Sequence, residues 1–378
     1  MRLLHTSDLH LGIKLLDVDL LDDQKHILNE ILGVAKKEKV DALLISGDIY
    51  DVSVPRVEAV ELLNEFITKA NEDGLQIFAI SGNHDQAERL SFGNKVMGKA
   101  GIHIFGQYKK DGGKFTLSDK YGKINFFLLP YIKPINVRTE FQIEDSISYN
   151  EAAAKAVENF SIDKSERNIL LAHQFVTGGV TCESETIQVG NTDQVDADIF
   201  DGFDYVALGH LHTPQIVANN EKIRYSGSPL KLSFSEAKKD KVCCLIEAKE
   251  KGNLTIKEIP LRPLRDLSIL KGSYKELVDS AELKEKYSEH YLRVELTDEM
   301  DIPYVKEKLK TIYKNTIDVS YQRQSQKMKG LNSQIKEIKE LSDLNLIKMF
   351  FKEQTAKDLS KRQEKYLIQA LDKMEGEK

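Results

Sequence analysis

The chain has 378 residues, with 54 Lys and Arg against 60 Asp and Glu and a formal charge of −6. That length allows a large core plus one or two smaller modules. Three cysteines, Cys182 and the adjacent pair Cys243 and Cys244, form no C-x-x-C spacing and leave an odd total, so neither a disulfide framework nor a zinc knuckle is indicated.

From the start of the chain, Leu3–Leu4, Ala42–Ile45, Ile77–Ile80, Ile169–Ala172 and Tyr205–Leu208 are short apolar runs of the kind buried in a covered sheet. Amphipathic periodicity predicts helices over Asp22–Glu38, Pro55–Glu72 and Tyr149–Phe160. Later stretches read as β structure: Gln215–Val217, Lys222–Tyr225, Lys241–Glu247 and Leu254–Ile259. The segment Pro260-Leu261-Arg262-Pro263-Leu264 breaks the pattern as a linker does. Beyond it, Leu267–Leu270, Tyr274–Lys286, Tyr291–Leu296, Pro303–Tyr313 and Thr316–Tyr321 read as strand, helix, strand, helix, strand, a small α/β module. Two further helices are expected over Asp343–Lys352 and Asp358–Met374, each with an apolar face too small to bury itself. No apolar run nears the ~18 residues of a membrane span, and the first strand begins so close to Met1 that no cleavable signal is expected.

Each of the five early runs closes on polar residues: Asp8 and His10, Asp48 and Asp51, Asn83 with His84 and Asp85, His173, and His210 with His212. In open α/β sheets, sites form beyond the carboxyl ends of strands, so these side chains can converge. Gly47, Gly82 and Gly209 directly precede ligand positions, where a missing Cβ permits a sharp turn and close approach. Carboxylate and amide oxygens mixed with imidazole nitrogens suit manganese, iron or zinc, with manganese the first expectation. Asp48, ending a central strand, is the natural bridge between two ions held roughly 3.5–4 Å apart, the spacing that clamps a phosphoryl displacement. A lone Asp or His at a strand end is usually a cap or turn former, but seven in this arrangement are not. Asp85 reads as a helix N-cap. His5, His26, His103 and His290 lack partner motifs and read as structural or surface residues.

The ordered segments D-x-H, G-D-x-x-D, G-N-H-D, H and G-H-x-H resemble the calcineurin-like metallophosphoesterase superfamily. His5–Gly12, Tyr225-Ser226-Gly227-Ser228-Pro229 and Phe234-Ser235-Glu236 resemble, more narrowly, the SbcD family of nuclease subunits. The resemblance implies a four-layer α/β fold, two packed sheets with helices outside, over residues 1–260, a capping, DNA-binding module over 267–322, and helices over 330–378 that meet the coiled coil of an SbcC-like ATPase. It assigns Asp8, His10, Asp48 and His212 to one metal and Asp48, Asn83, His173 and His210 to the other. His84 corresponds to the catalytic histidine outside the ligand set, with Asp51 as its orienting carboxylate. Where many relatives carry an arginine after the second Asp of G-D-x-x-D, this chain has Val52, with Arg56 nearby.

The resulting expectation is a metal-dependent DNA exonuclease and endonuclease subunit, cytoplasmic and nucleoid-associated, forming a homodimer and acting on duplex ends, hairpins and single strands. The alternatives are a small-molecule phosphodiesterase or phosphatase with the same core, and a non-catalytic scaffold for the ATPase. Charge distribution fits a DNA enzyme better than the net value suggests. Residues 302–378 hold 17 Lys and Arg against 11 Asp and Glu, and residues 1–301 hold 37 against 49. Lys306, Lys308, Lys310 and Lys314 are a candidate phosphate track.

Overall fold

In the computed structural model, the structure describes residues 1–185 and 193–322, with residues 360, 363, 364 and 366. Two six-stranded sheets dominate. The first is built from β1 (Arg2–Thr6), β2 (Ala42–Ser46), β3 (Gln76–Ile80) and β4 (Ile102–Phe105). The second is built from β5 (Lys114–Asp119), β6 (Gly122–Leu129), β7 (Arg167–His173), β8 (Tyr205–Gly209), β9 (Gln215–Val217) and β10 (Asn220–Tyr225). β11 (Val242–Ala248) and β12 (Leu254–Pro260) then return to the first sheet. The strand orders are β12-β11-β1-β2-β3-β4 and β9-β10-β8-β7-β6-β5. In each sheet four neighbouring strands run parallel, β1 to β4 in one and β10, β8, β7 and β6 in the other.

The period of two along each strand sorts its side chains between two cores. Leu3, Leu44, Phe78 and Ile80 of the first sheet meet Phe126, Leu128, Ile169, Leu171 and Ala207 of the second, and all are buried. Their alternates Leu4, Leu43, Ile45 and Ile77 face outward onto α1 (Leu21–Glu38) and α2 (Val57–Glu72), through Ile27, Ile31 and Leu62. Phe127, Leu129, Leu170 and Val206 do the same against α3 (Pro134–Phe141) and α4 (Tyr149–Asn159). Both faces of both sheets are covered, which is why the strands read as continuous apolar runs. The fold is the expected four-layer α/β metallophosphoesterase arrangement. Helix α4 starts where Ser148 accepts from the Glu151 amide and Glu151 accepts from the Ser148 amide, a reciprocal cap.

The chain divides into two compact units. The first comprises Met1–Ile269 with Tyr287–Leu292 and Tyr313–Ile317; Leu15, Leu20, Phe234, Leu267, Tyr291 and Ile317 form one of its buried clusters. The second comprises Leu270–Lys286, Arg293–Ile312 and the chain from Asp318. A third sheet has the order β13 (Leu267–Gly272), β14 (Tyr291–Leu296) and β15 (Thr316–Tyr321).

Two helix expectations need correction. The stretch Tyr274–Lys286 is not one helix but α5 (Tyr274–Asp279) and α6 (Ala281–Tyr287). Ser280 between them is extended, with φ −74° and ψ 111°, and its hydroxyl accepts from the Leu283 amide. A serine that caps the next helix cannot also continue the previous one. The stretch Pro303–Tyr313 yields only α7 (Val305–Lys310), because Tyr304 adopts φ +54° at its start. The two expected C-terminal helices lie outside the described residues, except that Ser360 and Gln363 exchange cap hydrogen bonds at the start of the second.

Candidate metal centre

The carboxyl ends of β1, β2 and β7 and of β8 deliver their ligand residues to one place between the two sheets. Asp8, His10, Asp48, His173, His210 and His212 are buried, at 4 % exposure or less, while Asn83 and His84 are half-buried. Packing so many polar groups so tightly strains the chain. Asp8, His10, Asp48 and His210 all take positive φ, at 53°, 42°, 45° and 109°, a region L-residues avoid. The Asp8 amide donates to the Gly47 carbonyl and the His10 amide to the Asp48 carbonyl, so the first two loops hold each other.

Two glycines make the approach possible. A Cβ on Gly82 would lie 2.1 Å from Asp48 Oδ1, and one on Gly209 would lie 1.9 Å from the Ser46 carbonyl oxygen. Neither space admits any other residue.

The ligand atoms fall into two groups sharing Asp48's neighbourhood. Asp8, His10 and His212 form one, and Asp48, His173 and His210 the other, while Asp48 also lies with His10 and His84. Asn83 Oδ1 is 3.1 Å from His173 Nε2 and 2.9 Å from His210 Nδ1. Asp48 Oδ2 is 3.2 Å from His173 Nε2 and 3.7 Å from His10 Nε2. His10 Nε2 and His212 Nε2 face one another at 3.1 Å. Two imidazole nitrogens at that distance repel unless a proton or a cation lies between them. The donor set, oxygens and nitrogens without sulfur at the centre, fits hard or borderline divalent ions.

Electrostatics point the same way. Burial pushes the Asp8 carboxyl up to about 6, against the pull of His173 and His10. Burial also opposes ionisation of Asp48, but His173 and His10 hold it well below the usual carboxylate range. Burial disfavours a charge on His173, yet Asp48 and Asp8 raise it to about 9. Burial and the neighbouring His173 depress His210 to about 3, and burial with His10 depresses His212 well below its ordinary value. His210 and His212 therefore offer neutral lone pairs, as ligands must.

The remaining singled-out residues separate. His84 Nδ1 lies 2.7 Å from the main-chain carbonyl of Asp51, and its amide donates to Asp48 Oδ1. The Asp51 carboxylate, which the sequence reading gave to His84, instead lies 3.4 Å from His10 Nδ1. Asp85 is no helix cap: its carboxylate accepts from the amides of Ile49, Tyr50 and Gly82, tying two ligand loops together, and the N-cap position belongs to Gln86. Arg56 is engaged by Asp19 on the surface. His5, His26, His103 and His290 stay outside the centre; their partners are Tyr205, the Arg262 carbonyl, Phe78 and Ser268.

Sequence reading missed a second layer. Glu185 accepts from the His212 amide at 2.6 Å, and Ser184 Oγ lies 2.8 Å from His212 Nδ1 and donates to Glu236. Of these only Glu236 carried a signal, as part of the Phe234-Ser235-Glu236 motif. Lys308 and Lys310 are exposed and Lys314 pairs with Glu289.

Residues 1–214 match the calcineurin-like phosphoesterase family, and residues 263–355 match the type 5 capsule protein repressor C-terminal domain. The chain is 35 % identical to SbcD, the corresponding component of the SbcCD nuclease of Staphylococcus epidermidis, with all of both chains covered. It is 34 % identical to the same component from Staphylococcus saprophyticus, over 97 % of this chain and 96 % of that one. A dimetal phosphatase from Danio rerio aligns at a TM-score of 0.43 and 11 % identity, covering 70 % of this chain and 98 % of that one.

Proposed function

The chain belongs to the SbcD-type nuclease subunits of the calcineurin-like phosphoesterase family, and from that premise we propose that it hydrolyses DNA phosphodiester bonds under control of an SbcC-like ATPase. It is a hydrolytic enzyme whose site takes two divalent ions, and manganese is the proposed pair. The observation that carries this reading is the placement of Asp48 among His10, His84, His173 and His210, between two ligand groups.

Bound there, two divalent ions would polarise the phosphate and supply a nucleophile by lowering the pKa of water. Asp8, His10 and His212 would hold one, Asn83, His173 and His210 the other, and Asp48 both. His84 is the proposed proton donor to the leaving oxygen. A carbonyl can only accept, so Nδ1 of His84 keeps its hydrogen toward Asp51 and Nε2 is the atom left for the reaction. Asp51 orients His10 through its carboxylate and His84 through its main chain.

Substrates are proposed to be duplex ends, hairpins and single strands. Residues 267–322 are the proposed cap over DNA, and residues 330–378 the proposed contact with the ATPase coiled coil. A homodimer is supported by apolar surface on and after α2: Val57 is 68 %, Phe92 86 % and Val96 74 % exposed, beside a groove lined by Leu63, Ile67 and Met97. Patches of that kind mark interfaces. No described helix is long and apolar enough to cross a membrane, which accords with the proposed cytoplasmic location.

The test is hydrolysis of labelled hairpin and linear DNA, and separately of a nucleotide library, with manganese and with or without purified ATPase. DNA cutting that depends on manganese and is enhanced by the partner is expected. Preference for nucleotides would move the assignment to a small-molecule phosphodiesterase. Partner binding without hydrolysis would make the chain a scaffold.

A further inference from the structure

Glu236 is fully buried, and its side chain touches neither a ligand group of the metal centre nor solvent. Its Oε2 accepts from Lys241 Nζ at 2.5 Å, and Lys241 is itself only 5 % exposed. Placing an ion pair in a protein interior gives up hydration that the mutual attraction does not reliably restore, so such a pair is weak grounds for a stabilising role. What the pair surrounds is His212. Lys241 Nζ donates to the His212 carbonyl at 2.7 Å and to Ser228 Oγ at 2.9 Å. On the other side, Glu236 Oε1 accepts from Ser184 Oγ at 2.9 Å, and Ser184 Oγ lies 2.8 Å from His212 Nδ1.

The donors and acceptors admit one consistent order. His212 presents Nε2 toward His10, so in the neutral ring the hydrogen sits on Nδ1 and is given to Ser184. The serine hydroxyl, having received it, donates to Glu236. Glu236 receives Lys241, and Lys241 donates back to the main chain of His212. The loop closes on the residue from which it began.

We propose that Glu236, acting through Ser184 and held by Lys241, is the positioning residue that fixes the tautomer and ring orientation of His212, and so sets the affinity of the ion that His212 holds. A metal-ligating histidine commonly gives its second nitrogen to a carboxylate, and removing such a partner typically weakens the metal 10–100-fold. Here a serine is inserted between the two. The carboxylate sits one residue further away, where Lys241 balances its charge without adding a positive group at the metal centre itself. This inference rests on the metal-centre reading above, so its test must separate the two.

The measurement is binding of Co²⁺ to the metal-free full chain, followed by equilibrium dialysis and by the visible spectrum of the bound ions. Wild-type protein is expected to take up two ions. Ser184→Ala is expected to weaken one of them about 10–100-fold and change its spectrum, while the other ion is bound as before. Ser184→Thr, which keeps the hydroxyl, is expected to restore it. Glu236→Gln should resemble Ser184→Ala, and the double variant should be no weaker than Ser184→Ala alone, because the carboxylate acts only through the hydroxyl. If Glu236→Gln fails to fold, the two Ser184 variants decide. Unchanged Co²⁺ binding in Ser184→Ala, equal weakening of both ions, or additive losses in the double variant would each overturn the relay. A wild-type chain that takes up no Co²⁺ would instead overturn the metal centre on which it depends.

Discussion

His84 Nδ1 is held by the main-chain carbonyl of Asp51 at 2.7 Å, while the carboxylate of the same residue faces His10 Nδ1 at 3.4 Å. One residue thus serves two histidines through different atoms, and mutation separates them. His84→Ala removes the proposed proton donor but no ligand. Turnover on DNA should fall about 10²–10⁴-fold, the usual range for a positioned acid or base, with manganese uptake unchanged. Asp51→Asn keeps the carbonyl and therefore His84. Its effect should appear as a higher manganese requirement, with turnover at saturating metal close to wild type. Titrating both variants with manganese in a steady-state assay checks the pair.

The loop glycines set a sharper steric prediction. In Gly82→Ala the new Cβ would collide with Asp48, whose Oδ1 is also the acceptor for the His84 amide. Relief requires moving the central carboxylate, so metal binding and hydrolysis should be lost together while the sheets remain folded. Circular dichroism with metal analysis of the purified variant tests this. Gly74→Ala, a position with open space around it but positive φ, should leave the metal content untouched and cost only backbone strain.

Much of this site was legible because its determinants are local. Asp8, Asp48 and His173 announce themselves by closing apolar runs, and the parallel sheets carry them to one end. The rest was not, because it depends on partners far apart in the chain. Nothing in the neighbourhood of Glu236 says that it completes a circuit around His212, since Ser184 is more than fifty residues away. Nor can sequence tell whether Asp51 addresses His84 with its carboxylate or its carbonyl. Asp85 looks like a cap because it precedes a short helix, yet the amides of Ile49, Tyr50 and Gly82 reach it first. In α5 and α6 helical periodicity continues through Ser280 while the backbone does not, since the competing hydrogen bond is invisible to a pattern of apolar residues.

Metal removal should be felt by the fold as well as by catalysis. With the ions gone, Asp8, Asp48 and the facing His10 and His212 nitrogens lose the charge that reconciles them. Each site saturated at about 100 times its dissociation constant adds about 2.7 kcal/mol to stability. Chelation should therefore lower the melting temperature, and manganese should restore it in a concentration-dependent way. A melting temperature indifferent to chelator would mean that no ion contributes to the folded state.

The apolar surface around α2 makes a prediction about assembly. Phe92→Glu places a charge on a residue that is 86 % exposed in the single chain, so it should fold normally and cost little as a monomer. In a homodimer it would bury an unpaired carboxylate. Light scattering should show the wild type at twice the chain mass and the variant at the chain mass, with hydrolysis of a generic phosphodiester retained by both.

His5 and Tyr205 give a pH dependence that owes nothing to metal. His5 Nδ1 lies 2.9 Å from the Tyr205 hydroxyl across the two sheets, and burial lowers the imidazole to about 3 from an ordinary 6.5. The folded chain thus keeps His5 neutral where the unfolded chain binds a proton. The sign follows: above about 6.5 neither state is protonated there and no penalty exists. As pH falls below that value the unfolded state gains a proton the fold refuses, and stability declines by up to about 1.4 kcal/mol per pH unit from this group, until the folded-state value near 3 is reached. His5→Gln, which can still meet the hydroxyl but does not titrate, should be less stable than wild type near neutrality, yet its stability should fall less steeply between pH 6.5 and 4. Urea unfolding of the two chelated proteins at several pH values measures the difference in slope. Parallel curves would show that His5 takes up its proton in the folded chain as readily as in the unfolded one.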